Sequence, residues 1–171
     1  MRQAERRART LAALLDAARD AFAEGGYDRT SLDAVVAAAG FSKGAVYSHF
    51  ATKLDLFLAV FSGVLIDARK RLDDTAAAVA SPPAAAAAAY FAAPGALRHV
   101  RLVTEAWRLA RTADAVASQL VAFRSARLSR LGEAAVDAGL PPAEALARAD
   151  MVAKLIDALM VEEALGSARG A

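Results

Sequence analysis

The 171-residue chain contains no cysteine, which removes disulfides, thiolate metal sites and cysteine nucleophiles together. That fits a reducing compartment, and a cytoplasmic location is expected. Histidine is scarce too, with His49 and His99 the only two. Neither stands in a His-Glu-x-x-His, and there is no Gly-x-Ser-x-Gly elbow and no phosphate-cradling glycine loop. The paired acids Asp73-Asp74 and Glu162-Glu163 are sequence neighbours, so on a helix they point to different faces and do not form a catalytic dyad. These absences argue against an enzyme, and neither a cofactor nor a metal is expected. Glycine (10), proline (5) and β-branched runs are all sparse, which leaves an all-α fold as the expectation. Long apolar runs are missing as well. Leu11 to Leu15 is cut short by Asp16, Arg19 and Asp20, so no secretory h-region forms. The uncharged stretch 75–97 contains Pro82, Pro83 and Pro94, and its apolarity is mostly alanine; it reads as packed helices broken by turns, not as a membrane span.

Much of the 57% hydrophobic content is likewise alanine, a strong helix former and a weak hydrophobe. A chain of this length makes one domain, or a small domain joined to a larger one, and buries roughly two-thirds of its unfolded surface without staples. The net charge of +2 points to no partner by itself. Its distribution is more telling. Arg2, Arg6, Arg7 and Arg9 against a lone Glu5 form a basic arm, which reads either as a tracker of phosphate backbones or as a solvated tip.

Periodicity divides the chain into helices. Leu11, Leu14, Leu15, Ala18 and Phe22 make one stripe over residues 5–24, closed by Gly25-Gly26, after which Tyr27 folds back on the core. A second helix starts at a Thr30 N-cap, with Asp33 well placed for the helix dipole and Leu32, Val35, Val36 and Ala39 inside. Gly40 ends it and Phe41 plugs the turn. Ser42 caps a third helix reaching about residue 50, with Val46 and Phe50 inward and Lys43, Gly44, Tyr47 and Ser48 outward. A fourth helix, 52–74, carries an apolar surface wide enough for contact on two sides. Proline- or glycine-punctuated breaks then set off helices over 83–92, 96–111 and 142–165, with another helix over 114–137 before the last break.

Two short helices joined by a tight glycine turn, the second bearing cationic, hydroxyl and aromatic groups on one side, have the layout of a helix-turn-helix. Ala18, Phe22, Gly25-Gly26-Tyr27, Thr30-Ser31, Val35-Val36, the run Ala39 to Gly44, Tyr47, His49-Phe50, Lys53 and Leu56 resemble the N-terminal module of the TetR family of bacterial transcriptional regulators. The resemblance covers about the first third of the chain. It implies a three-helix DNA-binding module at 1–53 and a helical effector-binding and dimerisation domain at 54–171. It further implies a homodimer that binds double-stranded DNA at a palindromic operator, and a repressor released by a small apolar or aromatic effector. Two terminal helices would form the dimer's four-helix bundle. Val116, Leu120, Leu128, Leu131 and Ala135 supply one candidate face, and Met151, Leu155, Ile156, Leu159 and Met160 the other.

The candidate DNA-binding residues are Thr30, Ser31, Ser42, Lys43, Gly44, Ala45, Tyr47, Ser48, His49 and Lys53. Lys43 can reach a phosphate or a guanine edge. Gly44 costs about 1 kcal/mol in a helix relative to alanine, and close approach to DNA is a reason for it. Tyr47 and His49 carry polar tips on rigid rings suited to phosphate, the role that the family resemblance gives them. Thr30, Ser31 and Lys53 would hold the backbone from the flanks. Ala45 stands where the family often has threonine. An ordinary cap with a solvated lysine is the plainer alternative for Ser42-Lys43. Phe61, Tyr90, Phe91, His99, Glu105 and Trp107 are candidate effector-pocket residues, with plain core or surface as the alternative. The rival function is a dimeric helical ligand-binding or interaction protein whose DNA module no longer works.

Overall fold

A computed structural model describes residues 2–92 and 94–169, and those residues form eight α-helices and no strand. No helix among them is long and apolar enough to cross a membrane. Contacts divide the chain into two compact units, residues 1–63 and 64–171, with the division inside the fourth helix.

The first unit holds α1 (Arg2–Arg29), α2 (Leu32–Ala39), α3 (Lys43–Tyr47) and the opening turns of α4 (Lys53–Ala77). Its core grows from the stripe on α1: Leu14, Ala18 and Phe22 are fully buried. Phe22 meets the Phe57 ring edge-on at 5.3 Å, Tyr27 stacks on Phe22 at 5.9 Å, and Phe57 stacks on Phe61 at 6.0 Å. Ring pairs of this geometry add about 0.5–1.5 kcal/mol each beyond area burial. They tie residues 53–63 to the first unit, which is why the unit runs ten residues past the boundary expected at 53.

α1 begins earlier than expected: the basic arm is its first turns, with Arg6, Arg7 and Arg9 exposed. The helix breaks at Gly26 (φ 74°, ψ 167°), a conformation open to glycine alone. The N-cap of α2 is Ser31, not Thr30; the Ala34 amide donates to Ser31 Oγ at 3.1 Å. Thr30 is instead buried, and its hydroxyl reaches the carbonyls of Gly26 at 2.8 Å and Ala21 at 3.0 Å. A Cβ on Gly25 would come within 3.2 Å of Thr30 Oγ1, so the bare glycine leaves that hydroxyl its place against the break.

The second unit contains the rest of α4, with α5 (Pro83–Ala92), α6 (Ala96–Leu109), α7 (Asp114–Asp137) and α8 (Pro142–Arg169). α8 packs against α5, α6 and α7, and α6 also packs against α7. Here the expected dimer faces need correction. Val116, Leu120, Leu131 and Ala135 on α7, and Ile156 and Met160 on α8, are buried in the protomer's own core. The apolar residues left outside are Val121 and Val136 on α7, and Leu146, Met151, Leu159 and Val161 on α8. Leu128 and Leu155 are half-buried. An apolar stripe declares that something covers it; its period does not say whether the cover is the same chain or another.

Polar groups are also enclosed in this unit. Arg71 donates to the carbonyls of Tyr90 (3.2 Å) and Pro94 (2.8 Å), fastening α4 to the α5–α6 turn. Buried Arg127 pairs with Asp157 at 2.8 Å, linking α7 to α8.

Candidate nucleic-acid interface

The turn between α2 and α3 is set by Gly40, whose left-handed backbone (φ 70°) lets two amides turn back onto α2. Gly40 N–H donates to the Ala37 carbonyl at 3.2 Å and Phe41 N–H to that of Val36 at 3.3 Å, a glycine-closed helix end. The chain then enters α3 through Ser42, extended at φ −77° and ψ 151°. Ser42 occupies the N-cap, yet its exposed hydroxyl makes no capping bond.

α3 is short, and its end tightens. The amides of His49 and Phe50 both donate to the Val46 carbonyl, at 2.9 and 3.0 Å, so the helical course persists to Phe50. Val46 and Phe50 are buried and anchor the helix from beneath. Ser42, Gly44, Tyr47 and Ser48 are exposed on the other side, with Tyr47 52% exposed despite its ring, and His49 is half-buried. The side chains of Lys43 and Ala45 lie outside the described residues.

Gly44 has nothing within 4 Å of where a Cβ would sit. No neighbour in the protein demands a glycine there, while the helix loses about 1 kcal/mol relative to alanine. The charge pattern is one-sided as well: from residue 34 to 54 the sequence contains Lys43, Lys53 and His49 and no acidic residue. An uncapped helix start with an exposed tyrosine, in a stretch without carboxylates, suits a polyanion.

Lys53 is placed differently from a free surface cation. Its ammonium donates to the carbonyl of Tyr27 at 2.9 Å and sits 4.3 Å from the centre of the Tyr27 ring. It straps the start of α4 to the end of α1. That start is fixed by a reciprocal box: Thr52 N–H donates to Asp55 Oδ2 at 2.9 Å, and Asp55 N–H to Thr52 Oγ1 at 3.1 Å. Periodicity alone did not flag this Thr52–Asp55 pair, although a hydroxyl three residues before a carboxylate is the signal that could have found it. Ser31 is exposed beside the site, and Thr30 supports it from inside.

Neither cleft described for the second unit is lined by more than one of the six residues considered for an effector pocket. Phe61 belongs to the core of the first unit, stacked on Phe57. Tyr90 and His99 are buried and face each other, Tyr90 Oη 2.9 Å from His99 Nε2. Glu105 pairs with Arg108 at 3.1 Å on the same helix. Trp107 is half-buried. Phe91 alone of the six lines a described cleft, one of about 570 Å³ at the meeting of α5, α6 and α8. A smaller cleft of about 310 Å³ between α4 and α7 is bordered by the Arg130–Asp73 ion pair.

Comparison with known proteins agrees with this geometry. The family model described as bacterial regulatory proteins, tetR family, matches residues 14–60. The HTH-type transcriptional activator FasR of Mycolicibacterium smegmatis is 45% identical over 47 residues, which are 28% of this chain. The match covers only 22% of that relative's length. A transcriptional regulator from Rhodococcus sp. Rha1 superposes with a TM-score of 0.74 and 25% identity, over 93% of this chain and 85% of its own. A TetR-family transcriptional regulator from Rhodococcus sp. shares the fold at TM-score 0.62 and 20% identity, over 90% of this chain and 88% of its own.

Proposed function

Residues 14–60 carry the DNA-binding module of the TetR family of bacterial transcriptional regulators, and from that premise we propose that the chain is a TetR-family homodimeric repressor that reads a palindromic operator and is released by a small-molecule effector. The observation that carries the DNA-binding part is α3 itself: anchored beneath by Val46 and Phe50, it offers Gly44 and Tyr47 to the outside within a sequence stretch, 34–54, that holds no acidic residue. Its Ser42, Lys43, Tyr47, Ser48 and His49 are assigned to the DNA, Lys43 to a phosphate or a guanine edge and the rest to phosphates. Lys53 and Thr30 act as positioning residues, fixing the angle at which α2 and α3 meet α1 and α4. The exposed arginines of α1 support the same reading. Cations at a helix N-terminus oppose the macrodipole, so their own helix gains little from them.

Dimerisation is assigned to the outer faces of α7 and α8, where Val121, Val136, Leu146 and Met151 lie uncovered in one protomer. Two-fold pairing would set the recognition helices about 34–36 Å apart or somewhat further, one turn of DNA or more. Release by an effector requires a coupling of about 1–3 kcal/mol between its site and the DNA.

The sign of regulation has a second reading. The relative that is 45% identical over 47 residues is named an activator. A DNA-binding module serves either sign of regulation; the position of the operator relative to the promoter decides whether occupancy blocks or assists transcription.

The test is a salt titration of binding to the DNA upstream of the protein's own gene, with nonspecific competitor. Four phosphates neutralised per subunit would give a slope of log K against log salt near about −7 for a dimer. A slope near zero would remove the phosphate assignments. A dimer with no selective binding in a genomic selection would leave the rival, a helical ligand-binding protein with a silent DNA module.

A further inference from the structure

The second unit carries a cleft whose chemistry narrows the class of ligand. On one side are Ala88 and Phe91 from the last turns of α5, and on another Ala96, Leu97 and Val100 from the start of α6. α8 closes the third side with Leu159, Glu162 and Glu163. The space exists for a local reason. α5 is nearly all alanine, and α6 opens from a left-handed Gly95 with Ala96 next, so small side chains face the junction where larger ones would fill it. At about 570 Å³ the cleft falls within the range that small-molecule sites occupy.

Its walls are aliphatic and aromatic, and among the described residues its charged lining is Glu162 and Glu163, with no basic side chain beside them. The end of α5 and the start of α6 meet here, and their dipole ends are of opposite sign, so the two carboxylates set the field. Phe91 adds a half-buried aromatic ring to the lining. A carboxylate-bearing ligand would meet like charge at this mouth. A neutral one would fill the walls and leave the glutamates without a counterion.

We propose that this cleft binds a small amphipathic cation, with its apolar body between Phe91, Leu97 and Leu159 and its positive group at Glu162 and Glu163. The inference rests on the reading of the second unit as effector-sensing and deepens it: an apolar or aromatic body is kept, and a cationic head is added. The adjacency of Glu162 and Glu163, which argues against a catalytic dyad, suits a diffuse cation, since two carboxylates splayed on one helix border a wider head than a single hydrogen bond serves.

The experiment uses the full-length protein and three ligands with one phenylpropyl body. One ends in trimethylammonium, one in its neutral isostere tert-butyl, and one in carboxylate. Calorimetry is expected to rank the cation above the neutral compound by about five-fold or more, with the carboxylate weakest. Glu162→Gln with Glu163→Gln should erase the cation's advantage and leave the neutral compound's affinity as it was. Ala88→Trp, on an exposed position of α5, should fill the cleft and abolish both, with helicity by circular dichroism unchanged.

Equal affinity for cation and neutral compound, preference for the carboxylate, binding of none, or cation binding that survives Ala88→Trp each overturns the proposal. So does conversion of a dimer to a monomer by Ala88→Trp in mass photometry, which would make the cleft a seat for a second copy of this chain. A DNA titration on the same samples separates this proposal from the regulator reading. Selective DNA binding without cation binding defeats the cleft alone, and cation binding without selective DNA binding defeats the regulator alone.

Discussion

The hydroxyl of Tyr90 stands 2.9 Å from Nε2 of His99, and both residues are buried where α5 turns into α6. Burial pushes the Tyr90 phenol well above its ordinary value of 10.0, against the pull of Arg127 and Arg71 and with a smaller push from Asp157. Below about pH 10 the phenol is protonated in both the folded and unfolded chain, and its contribution to stability is fully present. Above that, the unfolded chain loses the proton while the folded chain retains it, so stability falls as pH rises.

Tyr90→Phe should therefore act twice. At neutral pH it should cost about 1–3 kcal/mol, because a buried imidazole nitrogen loses its hydroxyl partner. Between about pH 10 and 11.5 the variant should lose stability less steeply than the parent, since the buried phenol is gone. Urea unfolding at a series of pH values measures both, and parallel slopes above about pH 10 would contradict the argument.

The pair also marks where sequence reading stops. Tyr90 and His99 are nine positions apart across a Pro94-Gly95 break, and no periodicity joins them. By contrast, the spacing of Leu14, Ala18 and Phe22 announced the first core, and Gly25-Gly26 announced the end of the first helical run. Thr30 and Ser31 were harder. Both are capping residues, and the choice between them depends on the bare backbone of Gly25, which seats the Thr30 hydroxyl inside. For α3, burial of Val46 and Phe50 followed from their i, i+4 spacing, and so did the exposure of Tyr47. Lys53 could not be placed this way, because a long side chain reaches either solvent or the Tyr27 carbonyl from the same position.

Arg127 and Asp157 give an asymmetric prediction. The Arg127 side chain is 3% exposed and that of Asp157 22%, so the two charges are not equally dependent on each other. Nε of Arg127 has no hydrogen-bond partner even with the pair intact. Asp157→Asn should destabilise by about 3 kcal/mol, because it strands a buried guanidinium. Arg127→Met should cost much less, since it replaces the charge with apolar volume and leaves Asp157 access to water and to Arg124, 3.5 Å away. Thermal unfolding of the two variants side by side decides it; equal losses would mean that the ion pair, not the stranded cation, sets the energy.

Tyr47 should affect DNA without affecting the fold. Its ring is half exposed, so Tyr47→Phe removes one hydroxyl from the surface and should leave stability within about 0.5 kcal/mol. If that hydroxyl bonds a phosphate, affinity should fall by about 5- to 10-fold on operator and nonspecific DNA alike. Fluorescence anisotropy on both DNAs reads the ratio. Loss confined to the operator would reassign Tyr47 to a base edge.

Gly44 separates folding from binding most sharply, because the same methyl group should push them in opposite directions. Among the described residues, beyond its own helix backbone, nothing lies within 4 Å of the added Cβ, so Gly44→Ala meets no clash inside the protein. Alanine is the better helix former, and the variant should gain up to about 1 kcal/mol in stability. On the DNA side the outcome depends on whether the backbone of α3 must approach closely. If it must, the methyl group occupies that space, and affinity should fall by about ten-fold or more while the melting temperature rises. A variant that gained stability and kept its affinity would show that α3 stands off from the DNA at this position. Contact would then rest on neighbours such as Tyr47, and the glycine would be without a physical reason in either state.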